Sequence, residues 1–295
     1  MNRLLIIGCG DVARRALPWL VRRFRVYALV RSTGQDASLR AMGAIPLRAD
    51  LDRPQTLKRL RGLAEFILHF APPQEQGQRD DRTRQLLAAL SASRSLPRCL
   101  VYISSSGVYG DCEGKLINET RTPAPRTERA QRRLDAENTL RGFGVRTRCA
   151  VSILRTPGIY AADRLPLERL RRGDPVLTKA DDVHTNHIHA GDLARIACLT
   201  LYRGRPGRVY NAVDDTQMKM SEYFDHIADT FSLPRPPRVT RSEAAASLSP
   251  VKLSFMSESR RLSNLRLKRE LGVRLEYPDI ERGLTAARSA AGSGA

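Results

Sequence analysis

Short apolar runs alternate with helix-periodic stretches through the first half of the chain. The runs at Arg3 to Gly8, Arg25 to Val30, Ile45 to Arg48, Ala64 to Phe70, Cys99 to Ser104 and Arg146 to Leu154 read as strands. Between them, Asp11 to Arg23 places Val12, Ala16, Leu17, Leu20 and Val21 along one helical face, and Asp80 to Ala92 does the same with Leu86, Leu87 and Leu90. Strands that alternate with amphipathic helices predict βαβ units and a parallel sheet. Pro18 lies inside the first helix, removes one backbone donor, and predicts a local distortion.

After about residue 155 the alternation loosens. Ser232 to Pro250 is rich in Pro and Ser and reads as a loop or hinge. It precedes a short helix near Asn264 to Leu271, with Gly272 where a helix stop belongs. The tail Ala287 to Ala295 is low in complexity and predicts a frayed end. The expected fold is α/β: a doubly wound parallel Rossmann sheet with a small C-terminal substrate lobe. Residues 1–160 are expected to form the first domain, and 161–295 a mixed region that completes the sheet and builds the lobe.

Composition narrows the setting. A chain of 295 residues buries a large core without staples. Cys9, Cys99, Cys112, Cys149 and Cys198 are odd in number and far apart, which suggests neither a disulfide framework nor a ligand cluster and reads as reducing cytoplasm. No apolar run reaches membrane-spanning length, so no membrane partner is expected. The formal net charge of +19 raises nucleic acid as a partner, but the arginines are scattered and not gathered with aromatics into one stripe. A small-molecule substrate is the expected partner.

GCGDVA follows an apolar strand and opens a helix, the context that gives weight to a G-x-G-x-x-G/A match. Gly8 permits the turn, Gly10 lets backbone approach a pyrophosphate, Ala13 leaves room for helix against sheet, and the amides of Asp11 and Val12 begin the helix that faces the phosphates. At the end of the second strand, where an acidic residue reads the ribose of NAD, the chain has Arg31 and Ser32. NADP is therefore favoured over NAD; the alternative is that Arg31 is one more arginine in an arginine-rich chain. Asp50 could accept from the adenine amino group or sit solvated in its loop. His69, Phe70, Ala71, Pro72 and Pro73 would run beside the cofactor.

At LVYISSSGVYGD the sequence resembles the extended short-chain dehydrogenase/reductases, the nucleotide-sugar epimerase and dehydratase family. INETRTPAP is similar to the family's Glu-containing loop, LRTPGIY to its Arg-x-x-x-x-Tyr segment, NHIHAGDLA to its His-x-x-Asp helix start, VYNAVDD to its late strand and ELGVRLEYPDIERGL to its closing helix pair. The resemblance covers about Asn2 to Leu284. It implies that Ser105 polarises the reacting oxygen, unless its hydroxyl only satisfies backbone at the strand end. It further implies that Ser104, Pro157 and Gly158 lie at the cofactor, and that Ser106, Arg155, Tyr160 and Asn186 lie on the substrate side. A nucleotide sugar and a homodimer belong to the same implication.

The chain departs from the family at its Tyr-x-x-x-Lys pair. Counting back from Glu137, the Tyr position falls on Arg129 and the Lys position on Arg133. Arginine cannot give up its proton, so neither can serve as the general acid or base. They can hold phosphate or carboxylate, Arg133 can reach the nicotinamide ribose, or both can lie on an exposed helix. The pattern is similar to an atypical subgroup that keeps the glycine loop and loses the catalytic tyrosine. Proton donors are then sought among Tyr109, Tyr160, His69 and His187. His184, His187 and His189 are rejected as a zinc site, because alternate strand positions put His184 and His187 on opposite faces; His189 and Asp192 instead begin a helix. Two functions follow: an NAD(P)-dependent oxidoreductase or epimerase/dehydratase-like enzyme acting on a polar small molecule, or a catalytically inactive NADP(H)-binding sensor.

Overall fold

A computed structural model describes residues 1–249, 253–254 and 256–292. Its centre is a seven-stranded sheet of β1 (Arg3–Ile7), β2 (Arg25–Val30), β3 (Ile45–Arg48), β4 (Phe66–His69), β5 (Cys99–Ser105), β6 (Ala150–Thr156) and β7 (Val209–Asn211). The order across the sheet is β7-β6-β5-β4-β1-β2-β3, with every pairing parallel. The winding reverses between β1 and β4, which opens a crevice at the carboxyl ends of the strands. This is the expected Rossmann sheet, and its last strand comes from beyond residue 160.

The helices used below are α1 (Asp11–Leu20), α2 (Asp36–Ala41), α3 (Asp81–Ser91), α4 (Glu128–Thr147), α5 (Leu167–Arg171), α6 (Ala190–Arg203), α7 (Met220–Thr230), α8 (Arg241–Ser247), α9 (Leu265–Leu271) and α10 (Ile280–Gly292). Leu4 and Ile6 of β1 face α1 and α6, while Leu5 and Ile7 face α3 and α4. Side chains alternate across a strand, so the unbroken run LLII is what a strand covered on both faces requires. Each such side chain, fully buried, stabilises the fold by about 1.5–3 kcal/mol.

Four expectations need correction. The helix expected to run to Arg23 stops at Leu20, with Pro18 inside it and Leu17 accepting from the amide of Val21. The strand expected from Arg146 starts at Ala150, because α4 runs on to Thr147 and ends with Arg148 in the left-handed conformation. Ser232 to Pro250 is not simply a loop. Arg238–Val239 pairs with Val176–Leu177, and α8 follows behind a capping box in which Thr240 and Glu243 serve each other's backbone amides; Pro250 lies outside the described residues. The tail does not fray from Ala287: α10 continues to Gly292, and 293–295 lie outside the described residues. The stop expected at Gly272 is present, in left-handed conformation after α9. Among the described residues no helix is long and apolar enough to cross a membrane.

Candidate functional site

Two cavities follow the carboxyl edge of the sheet and share Pro72 and Arg82. The inner one, about 280 Å³, is built from the glycine loop, the end of β2 and the loops after β3 and β4. Gly8 has φ +92°, and a Cβ there would stand 2.5 Å from the amide nitrogen of Ala71, so conformation and close approach both demand glycine. At Gly10 a Cβ would meet nothing within 4 Å. The backbone is open to a ligand at that point, and α1 begins there with no side-chain cap on its first amides. Val12 and Ala13 are buried against the sheet. The Asp11 carboxylate turns away to Arg15 (2.8 Å) and Arg164 (3.1 Å), so these three residues can serve a ligand only through backbone.

Arg31, Ser32 and Gln35 line the inner cavity together with Asp50, Ala71 and Pro72. Asp50 also accepts from the Asp52 amide at 3.0 Å. Phe70 packs its side chain into the α1-side core, while its amide donates to the Ile7 carbonyl at 2.7 Å. The residues of this cavity fit a dinucleotide: a glycine cradle, a helix N-terminus and a cation with a hydroxyl at the end of β2.

The outer cavity, about 570 Å³, lies over Ser105, Ser106 and Gly107, with Pro157, Gly158 and Asn186 on its wall. Ser105 ends β5, and its Oγ accepts from the Gly107 amide at 3.1 Å, which caps the turn Ser106–Tyr109. The backbone role of this serine is thus present, and its residue also lines the cavity. Arg133 also lines the cavity, donating from one Nη1 to the Tyr102 hydroxyl (2.9 Å) and the Ile103 carbonyl (2.8 Å). Arg129, one helical turn before it, faces the same space, and burial draws its pKa below the ordinary arginine value. Arg133 is half-buried, whereas Arg129 is exposed where it borders the cavity.

Several expected site residues are elsewhere. Tyr109 is fully buried and donates to Asn211 Oδ1 at 2.8 Å; burial raises its pKa. Tyr160 is buried in the lobe, where its hydroxyl donates to the Asp279 carbonyl at 3.2 Å, and burial raises its pKa too. Arg155 is buried and pairs with Glu137 through Nε (3.0 Å) and Nη2 (2.7 Å). Burial opposes its charge and Glu137 outweighs that, leaving its pKa above the ordinary value. Ser104 donates to the same carboxylate at 2.6 Å. Asn186 touches the cavity, but its amide is committed to the Arg260 carbonyl and the Leu262 amide, both at 2.9 Å. His69 and His187 are buried and pushed down to about 3 by desolvation, which keeps both neutral. Apart from Asn186, which stays at the cavity wall, each of these groups is buried away from the two cavities.

Proton-carrying side chains that do reach the outer cavity are Glu75, His184 and Glu258. None was expected, and neither was Arg260, which pairs with Glu258 at 2.7 Å. Their distance along the chain from Ser105 left no local signal. His189 does begin α6, its Nδ1 accepting from the Gly191 amide, and Asp192 follows in the first turn.

No family model and no curated protein matches the chain. Solved structures do. A conserved protein of unknown function from Silicibacter pomeroyi DSS is 28% identical over 98% of this chain and 99% of its own, with a TM-score of 0.80. A protein assigned as an NAD-dependent epimerase/dehydratase from Methylobacillus flagellatus is 25% identical over 98% of both chains, with a TM-score of 0.74. UDP-glucuronic acid 4-epimerase from Bacillus cereus, solved with NAD, is 14% identical over 99% of both chains at a TM-score of 0.76 and speaks for the fold alone. The structural neighbours of this chain are thus NAD-dependent epimerase/dehydratase-like proteins, with which it shares its fold from end to end.

Proposed function

We propose that the protein is an NAD(P)-dependent oxidoreductase or nucleotide-sugar epimerase/dehydratase-like enzyme of the cytoplasm, acting on a polar small molecule. The observation that carries this reading is the continuity of two cavities, one framed by the glycine loop and the other by Ser105, joined at Pro72 and Arg82. Residues 1–160 then hold the cofactor and 161–295 close the substrate side. A bound nicotinamide dinucleotide would supply or accept hydride. Gly8, Gly10 and the first amides of α1 bind its pyrophosphate, Arg31 and Ser32 favour the 2′-phosphate of NADP, and Ser105 orients the reacting oxygen through its hydroxyl. Two copies pairing through the helices that flank the sheet complete the proposal, and light scattering reads that mass directly.

The second reading is an NADP(H) sensor without chemistry. It is favoured by Arg129 and Arg133 at the family's Tyr and Lys positions, together with the lack of any tyrosine on the outer cavity wall among the described residues. Following NADPH absorbance with a panel of sugar nucleotides and carbonyl compounds separates the two. Turnover that Ser105→Ala lowers by a hundredfold or more supports the enzyme; tight NADPH binding with no turnover across the panel supports the sensor.

A further inference from the structure

Five arginines wall the outer cavity against two carboxylates, Glu75 and Glu258. At least three of these cations are held by carboxylates. Arg82 pairs with Asp52 at 2.6 Å, Arg132 with Glu128 at 3.7 Å, and Arg260 with Glu258 at 2.7 Å. Arg133 differs. Its Nη1 is fixed by two buried neutral groups, the Tyr102 hydroxyl and the Ile103 carbonyl, while Nε and Nη2 have no acceptor among the described residues. No described carboxylate lies within ion-pair distance of it. Asp80 feels its field but is buried and bound to Thr83. A guanidinium held in plane by neutral partners, and short of a counter-ion, presents its remaining donors as a fork that matches an oxyanion.

Glu258, on the same cavity wall, shows the complementary shortage. Its side chain is 8% exposed, Oε2 pairs with Arg260, and the buried Oε1 has no hydrogen-bond partner. A buried carboxylate oxygen without a donor is costly, and a ligand hydroxyl in the cavity would relieve that cost. We propose that Arg133, with Arg129 one turn before it, Glu258 and Ser105 form a subsite for a hydroxylated oxyanion. A carboxylate or phosphate lies on the arginine fork, and a neighbouring hydroxyl donates to Glu258. The anionic group of the substrate then occupies the place where the family carries its tyrosine and lysine. This inference rests on reading the outer cavity as the substrate site.

Calorimetry on the full chain with saturating NADP+ tests it, using glucuronate, glucose 6-phosphate, glucose and inorganic phosphate as probes. At least one of the two hydroxylated anions should bind tenfold or more tightly than both glucose and inorganic phosphate, and the preferred one decides between carboxylate and phosphate. Arg133→Gln should erase that preference, Arg133→Lys should keep part of it because charge survives without the fork, and Glu258→Gln should narrow the gap to inorganic phosphate. Glucose binding as tightly as both anions, or an unchanged preference in a folded Arg133→Gln protein, overturns the subsite. If that variant fails to melt cooperatively, the wild-type ranking of the four probes and Arg133→Lys decide. The preceding NADP+ titration is a separate readout. Its failure sinks the cofactor reading alone, and the anion titrations then proceed without NADP+; NADP+ binding without anion preference sinks the subsite alone.

Discussion

Glu137 shows how one residue can decide the fate of several. It is fully buried on α4, and its carboxylate takes Ser104 and the Nε and Nη2 of Arg155, so two of the expected site residues bond to it. Breaking a buried pair from one side leaves the other charge without compensation. Glu137→Gln is therefore expected to cost about 3–5 kcal/mol in urea unfolding, with Arg155 as the stranded partner. Arg31 offers a milder test. It lines the inner cavity beside Ser32, where a planar cation suits a 2′-phosphate. Arg31→Asp should shift cofactor preference from NADP toward NAD by tenfold or more in fluorescence titrations; an unchanged ratio means that Arg31 does not read the phosphate.

At the scale of elements, α4 assembles most of the site. Arg129, Arg133 and Glu137 stand four residues apart, so one stripe of the helix carries two cations at the cavity and a carboxylate deeper in the fold. Its first turn is held by Thr127, whose hydroxyl accepts from the Ala130 amide at 3.2 Å. Thr127→Ala should cost about 1 kcal/mol of stability while Thr127→Ser costs little, a difference that denaturant midpoints resolve. The other informative element is α8. Thr240 and Glu243 form a Thr-x-x-Glu capping box in the sequence, a readable helix start that the surrounding prolines and serines obscured. At the end of α4 the apolar run CAVSIL drew the expected strand back to Arg146, although the chain turns only at Arg148.

The molecule as a whole keeps two neutral histidines in its interior, and this gives its stability a pH dependence. Burial holds His69 and His187 down to about 3, against an ordinary value near 6.5. Between those values the unfolded chain binds the proton and the folded chain does not, so stability is full above about pH 6.5 and declines as pH falls toward the folded values. Each histidine contributes a slope of about 1.4 kcal/mol per pH unit in that window. His187→Phe keeps a ring against Tyr223, on which His187 stacks at 4.0 Å. Its stability should fall less steeply than wild type between pH 6.5 and 4; equal slopes in urea titrations at each pH would refute the assignment.

The strand, turn and helix around Gly8, and the parallel alternation that follows, could be read from the chain because hydrophobic period and turn chemistry are local properties. The same holds for the helix stop at Gly272 and the start of α6 at His189. What tertiary structure alone decided was which polar groups remain available. Tyr109, Tyr160, Ser104 and Arg155 look like site residues in one dimension, and each is consumed by a partner distant in sequence because a buried polar group must be paired. Arg133 and Glu258 emerge for the converse reason. They are 125 residues apart in number, and only packing brings them to one cavity wall with donors and an acceptor left over.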